Sequence, residues 1–264
     1  MNIDLTGKTA IVTGSTQGIG RAIAAGLAAA GARTIVNGRT AENVEAAIAQ
    51  IRAAVPDADL TGVSADVTTV EGVAAMRAAV SDPDIVVNNV GIFEPESFFD
   101  ITDESWYRFF TVNVMSGIRL TREYLAGMQE RGWGRVIFLS SESALQIPPE
   151  MIHYGLTKTA QLALSRGLAE LSAGTGVTVN CVLPGPTASE GVSDFVAKLN
   201  PQDKRSPNEQ LDDFVREHRP TQLLRRAATP EEVANMVVYL SSEQASATTG
   251  AALSVDGGTR RAIF

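Results

Sequence analysis

The chain has 264 residues, of which 44% are hydrophobic and 20% are charged, a composition typical of a globular protein. Its net charge of −8 argues against DNA or RNA as a partner, because binding a polyanion needs clustered cations. A single cysteine, Cys181, excludes an intrachain disulfide, and with two histidines the composition predicts no metal site. No apolar run approaches the roughly 20 residues of a membrane-spanning helix, so we expect a cytoplasmic protein without membrane contact.

Short apolar strands alternate with longer helical stretches along the chain. The predicted strands are Lys8–Val12, Thr34–Asn37, Leu60–Ala65, Asp84–Asn88, Gly134–Ser140, Val177–Leu183 and Ala251–Val255. Helices are predicted from the first glycine turn to Ala30, over Ala41–Ala54, near Val70–Val80, from Thr102 to about Gln129, and after Pro149 to about Ser172. This alternation predicts an α/β fold: a doubly wound, seven-stranded parallel sheet with helices on both faces, in one domain over residues 1–264.

Residues 189–226 break this alternation. The segment contains three prolines and no predicted strand, and it mixes Phe195, Leu199 and Phe214 with charged residues. A solvated connector is one interpretation. We favour a short helical lid over a site, because the apolar side chains need a surface to cover.

A glycine-rich turn follows the first predicted strand and precedes the first helix. Its residues are Thr13-Gly14-Ser15-Thr16-Gln17-Gly18-Ile19-Gly20. Glycines let the backbone turn tightly and approach a ligand with no Cβ in the way. The N–H groups and dipole at the start of the helix suit a pyrophosphate, so we interpret the turn as a dinucleotide site rather than as a plain connection.

The end of the second predicted strand is where the adenosine ribose lies in such folds. The chain has Asn37-Gly38-Arg39 there, with no carboxylate to accept hydrogen bonds from the ribose hydroxyls. A guanidinium favours a 2′-phosphate, so we expect NADP, with NAD as the alternative. Arg39 could instead be a solvated cation at the start of a helix.

Tyr154 and Lys158 lie one turn apart on the same face of a predicted helix. A nearby cation favours the phenolate, so we expect Lys158 to lower the pKa of Tyr154, which then acts as a general acid toward a carbonyl oxygen. Ser141 precedes them after the fifth strand and could hold that carbonyl, although Ser140 and Ser143 compete for the role.

Together these motifs resemble the short-chain dehydrogenase/reductase family, in particular oxidoreductases like 3-oxoacyl-ACP reductase. The residues that carry the resemblance are Thr13-Gly14-x-x-x-Gly18-Ile19-Gly20, Asn88-Asn89-Val90-Gly91, Asn113, Ser141, Tyr154-x-x-x-Lys158 and Pro184-Gly185. The resemblance spans almost the whole chain. It implies a Rossmann-type domain, a nicotinamide cofactor and a catalytic tetrad.

The resemblance also implies a role for each tetrad residue. Tyr154 is the proton donor or acceptor, and Lys158 lowers its pKa and holds the nicotinamide ribose. Ser141 orients the substrate carbonyl, and Asn113 anchors a water relay to Lys158.

The cofactor-binding residues that the resemblance implies come from six segments of the chain. They are Gly14, Ser15, Thr16, Gln17, Gly18, Ile19, Gly20, Arg39, Asp66, Val67, Asn89, Gly91, Tyr154, Lys158, Pro184, Gly185 and Thr187. Asp66 and Val67 fit the family's adenine contact, and Thr187 fits its contact to the nicotinamide amide. Gln17 stands where many NADP-using members have a basic residue, which leaves the NADP prediction to Arg39.

Glu142 directly follows Ser141. If it faced the pocket it would favour a polar or cationic substrate, but we expect it to point away.

We predict reversible hydride transfer between NADP(H) and a small-molecule carbonyl or alcohol. The candidate activity is reduction of a 3-oxoacyl thioester; the alternative is a dehydrogenase of sugars, polyols or other secondary alcohols that uses NAD. A non-catalytic dinucleotide sensor on the same fold would not need the tetrad, and a serine hydrolase would need a Gly-x-Ser-x-Gly turn, which is missing. By analogy with the family, we expect a homotetramer or homodimer.

Overall fold

A parallel β-sheet runs through the computed structural model, which describes residues 2–192, 196, 202 and 204–263. Its strands are β1 Thr9–Val12, β2 Arg33–Gly38, β3 Leu60–Ser64, β4 Ile85–Asn88, β5 Gly134–Leu139, β6 Val177–Pro184 and β7 Ala252–Val255. Their order across the sheet is β3-β2-β1-β4-β5-β6-β7, and every neighbouring pair is parallel. The predicted doubly wound, seven-stranded fold is confirmed.

The helices of the described residues connect these strands. They are α1 Gly18–Ala29, α2 Ala41–Ala54, α3 Val70–Ala79, α4 Asp103–Phe110, α5 Ser116–Glu130, α6 Ile152–Leu171, α7 Pro207–His218 and α8 Pro230–Leu240. Threonine side chains cap four of them: Thr40, Thr69, Thr102 and Thr229 accept hydrogen bonds from backbone N–H groups in the first turns of α2, α3, α4 and α8. Such caps satisfy donors that a helix start leaves free, which is why these helices begin where they do.

Both faces of the sheet are covered by helices. On one face Val12 and Val36 pack in a core with α1, α2 and α8, and on the other Ile11 and Val86 pack with α3, α5 and α6. Because side chains alternate between the faces, a central strand buried on both sides reads as a continuous apolar run. This is the reason why β1 and β4 are recognisable from sequence.

The long helix predicted from Thr102 to about Gln129 is interrupted. A π-helical turn, Thr111–Met115, separates α4 from α5, so the prediction of one continuous helix is wrong in its interior. The turn contains Asn113, whose amide bonds with the backbone of Ile92 and with the Thr157 hydroxyl. These partners are distant in sequence, and a local helical pattern carries no signal for them.

The carboxyl ends of the strands form the edge where the predicted motifs meet. The strand order reverses between β1 and β4, which opens a crevice outside this edge. The glycine turn follows β1, Asn89 and Gly91 follow β4, Ser141 follows β5, and Gly185 follows β6. Within the described ranges, no helix is long and apolar enough to span a membrane.

The predicted lid contains α7, which begins with a capping box made by Ser206 and Glu209. Leu211 and Val215 of this helix are fully buried in a small apolar cluster of their own. Phe195 and Leu199, on which the lid prediction partly rests, lie outside the described residues. The boundaries of the lid and the single domain stay predictions.

Candidate active site

The glycine turn between β1 and α1 is closely packed. Gly14 and Gly18 have φ angles of +60° and +54°, in the left-handed region that favours glycine. A Cβ on Gly20 would lie 2.4 Å from the Gly14 carbonyl oxygen, so no other residue fits there without a backbone shift. Ser15 is fully buried: its hydroxyl bonds with the Val12 carbonyl and accepts from the Asn37 N–H, and so it shapes the turn from within.

A groove leads away from this turn along the carboxyl edge of β1, β2 and β4. Eight of the predicted cofactor residues line it: Gly14, Thr16, Gln17, Arg39, Asp66, Val67, Asn89 and Gly91. The Asp66 carboxylate accepts hydrogen bonds from the Thr68 N–H and hydroxyl, which fixes the turn after β3. Arg108 also lines the groove, a second cation that the sequence analysis missed.

Asn37 and Arg39, at the end of β2, have different environments. Asn37 is 1% exposed; its Nδ2 donates to the carbonyl oxygens of Val63 and Ala65, and its Oδ1 accepts from the Gly14 N–H. The Arg39 side chain is exposed at the groove. Asn37 therefore has a structural role at the site, and the exposed Arg39 side chain can contact a charged ligand.

Glu190 occupies the start of α1. Its Oε2 accepts a hydrogen bond of 2.8 Å from the Gly18 N–H, and its Oε1 pairs with Arg21 at 2.5 Å. An anionic oxygen thus already lies at the helix N-terminus, where free N–H groups and the helix dipole favour negative charge. The residues of the turn therefore fit the pyrophosphate of a dinucleotide. The sequence analysis missed Glu190 because it is 172 residues away from its partner.

A cavity of about 210 Å³ adjoins the inner end of the groove. Nine predicted residues line it: Ile19, Ser141, Tyr154, Lys158, Pro184, Gly185, Thr187 and, shared with the groove, Asn89 and Gly91. Asn113 lies close by, because a Cβ on Gly91 would be 3.4 Å from its Oδ1 and 3.3 Å from the Lys158 Nζ. The structure thus brings all four tetrad residues to one place.

The three neighbouring serines have different partners. The Ser140 hydroxyl donates to the Lys158 carbonyl and ties β5 to α6. The Ser143 hydroxyl donates to the Glu142 carboxylate. The Ser141 hydroxyl donates to Glu142 Oε2, and of the three serines it is the one that lowers the pKa of the Tyr154 phenol, which favours Ser141 for the role that the sequence left open.

Burial controls the titration of the two central groups. It raises the pKa of Tyr154 above its ordinary value, against the opposing effects of the Ser141 hydrogen bond and the Arg219 charge. The pKa of Tyr154 is raised rather than lowered, so the prediction that Lys158 lowers it is wrong for this structure. Burial also lowers the pKa of Lys158 to about 8. Its ammonium donates to the Leu139 carbonyl at 2.8 Å and lies 5.6 Å from the centre of the Tyr154 ring.

Asn113 is held on every side. Its side-chain amide is used by Ile92 and Thr157, and its main-chain carbonyl accepts a 2.6 Å hydrogen bond from Gln161 Nε2. The water relay from Asn113 to Lys158 stays a prediction. Gln161 is thus a partner of the tetrad that the sequence analysis did not identify.

Glu142 faces the cavity, so the expectation that it points away is wrong. It is 5% exposed, and its carboxylate pairs with Arg219 at 2.9 Å. Arg219, directly after α7, also lines the cavity. No local sequence pattern predicts that Arg219 belongs to the site, because it is 77 residues away from Glu142. Among the residues that the structure describes, no cluster of three or more His, Cys, Asp or Glu side chains could hold a metal ion.

Comparison with known proteins identifies the family. A family model described as "Enoyl-(Acyl carrier protein) reductase" matches residues 14–260. The chain belongs to the short-chain dehydrogenase/reductase family. As a member, this short-chain dehydrogenase is an oxidoreductase that acts on CH–OH groups with a nicotinamide dinucleotide.

Relatives of this short-chain dehydrogenase match over its full length. It is 49% identical over 264 residues to the uncharacterized oxidoreductase YvaG of Bacillus subtilis (strain 168), with 100% of both chains covered. It is 33% identical to the 3-oxoacyl-[acyl-carrier-protein] reductase FabG of Aquifex aeolicus (strain VF5), with 98% of this chain and 99% of that protein covered. The crystal structure of L-sorbose reductase from Gluconobacter frateurii, complexed with NADPH and L-sorbose, superposes with a TM-score of 0.92 at 32% identity and covers 100% of both chains.

Proposed function

We propose that the chain is an NADP(H)-dependent oxidoreductase that interconverts a small ketone and a secondary alcohol, with Tyr154 as the proton donor and acceptor. One observation carries the proposal. The Ser141 and Tyr154 side chains line the same cavity, which adjoins a groove suited to a dinucleotide. A ligand carbonyl in this cavity would meet the two hydroxyl groups together, next to the cofactor groove.

We infer complementary tasks for the residues around that carbonyl. Tyr154 stays a neutral phenol at physiological pH because burial raises its pKa, so it can donate a proton to the carbonyl oxygen. The Ser141 hydroxyl would turn from Glu142 to hold that oxygen, and the ammonium of Lys158 supports the ionised phenol once the proton has left. The nicotinamide, when bound, supplies or accepts the hydride.

Arg39 supports NADP over NAD. It is exposed at the groove beside Thr16 and Gln17, and the end of β2 carries no carboxylate that would repel a 2′-phosphate. The structural neighbour from Gluconobacter frateurii contains NADPH, and a neighbour described as a putative gluconate 5-dehydrogenase contains NADP. The cofactors of these two neighbours support NADP(H) as the cofactor of this chain.

Two substrate classes follow from the relatives. FabG supports the reduction of 3-oxoacyl thioesters, and L-sorbose reductase supports the reduction of hydroxylated ketones. The polar pair of Glu142 and Arg219 in the cavity favours the second class. A homotetramer or homodimer and a cytoplasmic location stay predictions.

The test is oxidation of NADPH with a panel of simple ketones, hydroxy ketones and 3-oxoacyl thioesters. We expect turnover that falls about a hundredfold or more in Tyr154→Phe, the contribution typical of a positioned proton donor. NADPH binding should survive in this variant. Tyr107→Phe, at an exposed position of α4, is the matched control and should leave turnover unchanged.

Tight NADPH binding without turnover of any ketone or thioester would favour the dinucleotide sensor instead. Turnover that is equal in Tyr154→Phe and in the wild type would refute the assigned proton donor.

A further inference from the structure

A buried ion pair lies in the wall of the cavity next to Ser141. The side chains of Glu142 and Arg219 are 5% and 11% exposed, and both line the cavity. A buried ion pair contributes little stability compared with apolar groups of the same size. Recognition of a ligand is therefore a better reason for its presence than stability.

The hydrogen bonds of the pair leave specific capacity for a ligand. Glu142 Oε2 accepts from the Ser141 hydroxyl at 2.6 Å, from the Ser143 N–H at 2.7 Å and from the Ser143 hydroxyl at 2.9 Å, so it is saturated. Oε1 accepts from Arg219 Nε and keeps a second acceptor site. Arg219 also donates through Nη1 to the His218 carbonyl, and a guanidinium has further N–H groups to offer. The pair thus presents an acceptor and donors side by side.

The rest of the cavity wall limits where a ligand can be polar. Ile92, Phe93, Met151, Val192 and Phe214 contribute apolar surface. Polar groups of a ligand would lack partners beside these side chains but would find them beside the ion pair, the catalytic hydroxyls, Thr187 or Ser189. Apolar or small groups fit elsewhere.

The short distance between Ser141 and Glu142 determines where a ligand can carry a second polar group besides its carbonyl. The Ser141 hydroxyl donates to Glu142 Oε2 at 2.6 Å. If it turns to a ligand carbonyl instead, Oε2 regains an acceptor site, and the carbon next to that carbonyl comes close to this carboxylate. A hydroxyl on that carbon can donate to Glu142 and accept from Arg219. In a 3-oxoacyl thioester the carbon next to the ketone is a CH2 group, which has no donor for the Glu142 carboxylate.

We propose that Glu142 and Arg219 select ketones with a hydroxyl group on the carbon next to the carbonyl, and the corresponding vicinal diols in the oxidative direction. This inference rests on the carbonyl reduction proposed above. Glu142 is the specificity-determining residue, and Arg219 holds its carboxylate in place from the end of α7.

The experiment compares two substrates that differ in one hydroxyl, 1-hydroxy-2-butanone and 2-butanone, by kcat/KM at saturating NADPH. A hydrogen bond to a charged group predicts that the wild type prefers the hydroxy ketone by about ten- to a hundredfold. Glu142→Gln and Arg219→Gln should each reduce that ratio by about tenfold. Glu170→Gln, which breaks an exposed ion pair with Arg166, is the matched control and should keep the wild-type ratio.

A merely structural role would change both substrates equally and leave the ratio intact, so an unchanged ratio in Glu142→Gln and Arg219→Gln overturns the inference. If Glu142→Gln does not fold, Glu142→Asp keeps the charge but shortens the reach, and its ratio must also fall. A wild type that turns over ketones without the preference, or that prefers a 3-oxoacyl thioester, refutes this inference and leaves the proposed function standing. Absence of all turnover refutes both.

Discussion

The titration of Lys158 leads to a pH dependence that differs from the expectation based on sequence. Burial lowers its pKa from 10.5 to about 8, a difference on the order of 3 kcal/mol in favour of the neutral amine. The positive charge is therefore lost as the pH rises through about 8. Tyr154 and Cys181 do not titrate in this range, because burial raises both of their pKa values. A loss of activity as the pH rises through about 8 would thus report the deprotonation of Lys158.

The assay is the pH profile of kcat/KM for NADPH, which reports groups of the free enzyme. If the ammonium is required, kcat/KM should fall about tenfold between pH 7 and pH 9, and about tenfold again by pH 10. Lys158→Arg keeps a cation throughout, so its residual activity should show no decline in this range. A decline near pH 8 that persists in Lys158→Arg, or a wild-type profile that is flat to pH 10, would refute the reasoning.

Three further predictions concern the cofactor groove. Arg39→Asp removes the cation and introduces a carboxylate for the ribose hydroxyls, so the ratio of kcat/KM for NADPH over NADH should fall at least about tenfold. Glu190→Gln removes the negative charge that now lies on the Gly18 N–H, so the Kd for NADPH should decrease by about two- to fivefold. Gly20→Ala places a Cβ 2.4 Å from a carbonyl oxygen of the turn, so it should lower Tm and weaken NADPH binding together.

Each of these three predictions has a control variant or a result that would contradict it. Arg33→Asp makes the same charge change at the exposed start of β2 and should leave the cofactor ratio unchanged, and an equal change in both variants would reject the assignment of Arg39. Weaker NADPH binding in Glu190→Gln would mean that the carboxylate supports the cofactor rather than competes with it. Wild-type Tm and NADPH affinity in Gly20→Ala would show that the turn relaxes without cost.

Much of the fold was predictable because its signals are local. The strands β1 and β4 are apolar on both faces, and the threonine caps mark where helices begin. The glycine turn and the pair of Tyr154 and Lys158 depend on spacing within one segment, so sequence alone finds them. The structure then places them at one edge of the sheet.

The unpredicted features all depend on contacts between distant segments. The π-helical turn around Asn113 is held by Ile92 and Thr157, and no helical periodicity reveals it. The orientation of Glu142 depends on Arg219, which arrives from a different part of the chain. The raised pKa of Tyr154 is likewise a property of tertiary burial, which a sequence motif does not measure.

The buried amide of Asn37 restricts how this scaffold could be engineered toward another cofactor. An aspartate at that position would lose the donor shared by the Val63 and Ala65 carbonyls and would leave a charge without solvent. A side chain at Gly38 would collide with Thr16, whose Cγ2 would lie 2.4 Å from the new Cβ. Cofactor selectivity is therefore best redesigned at position 39, where a substitution does not lower the stability of the fold.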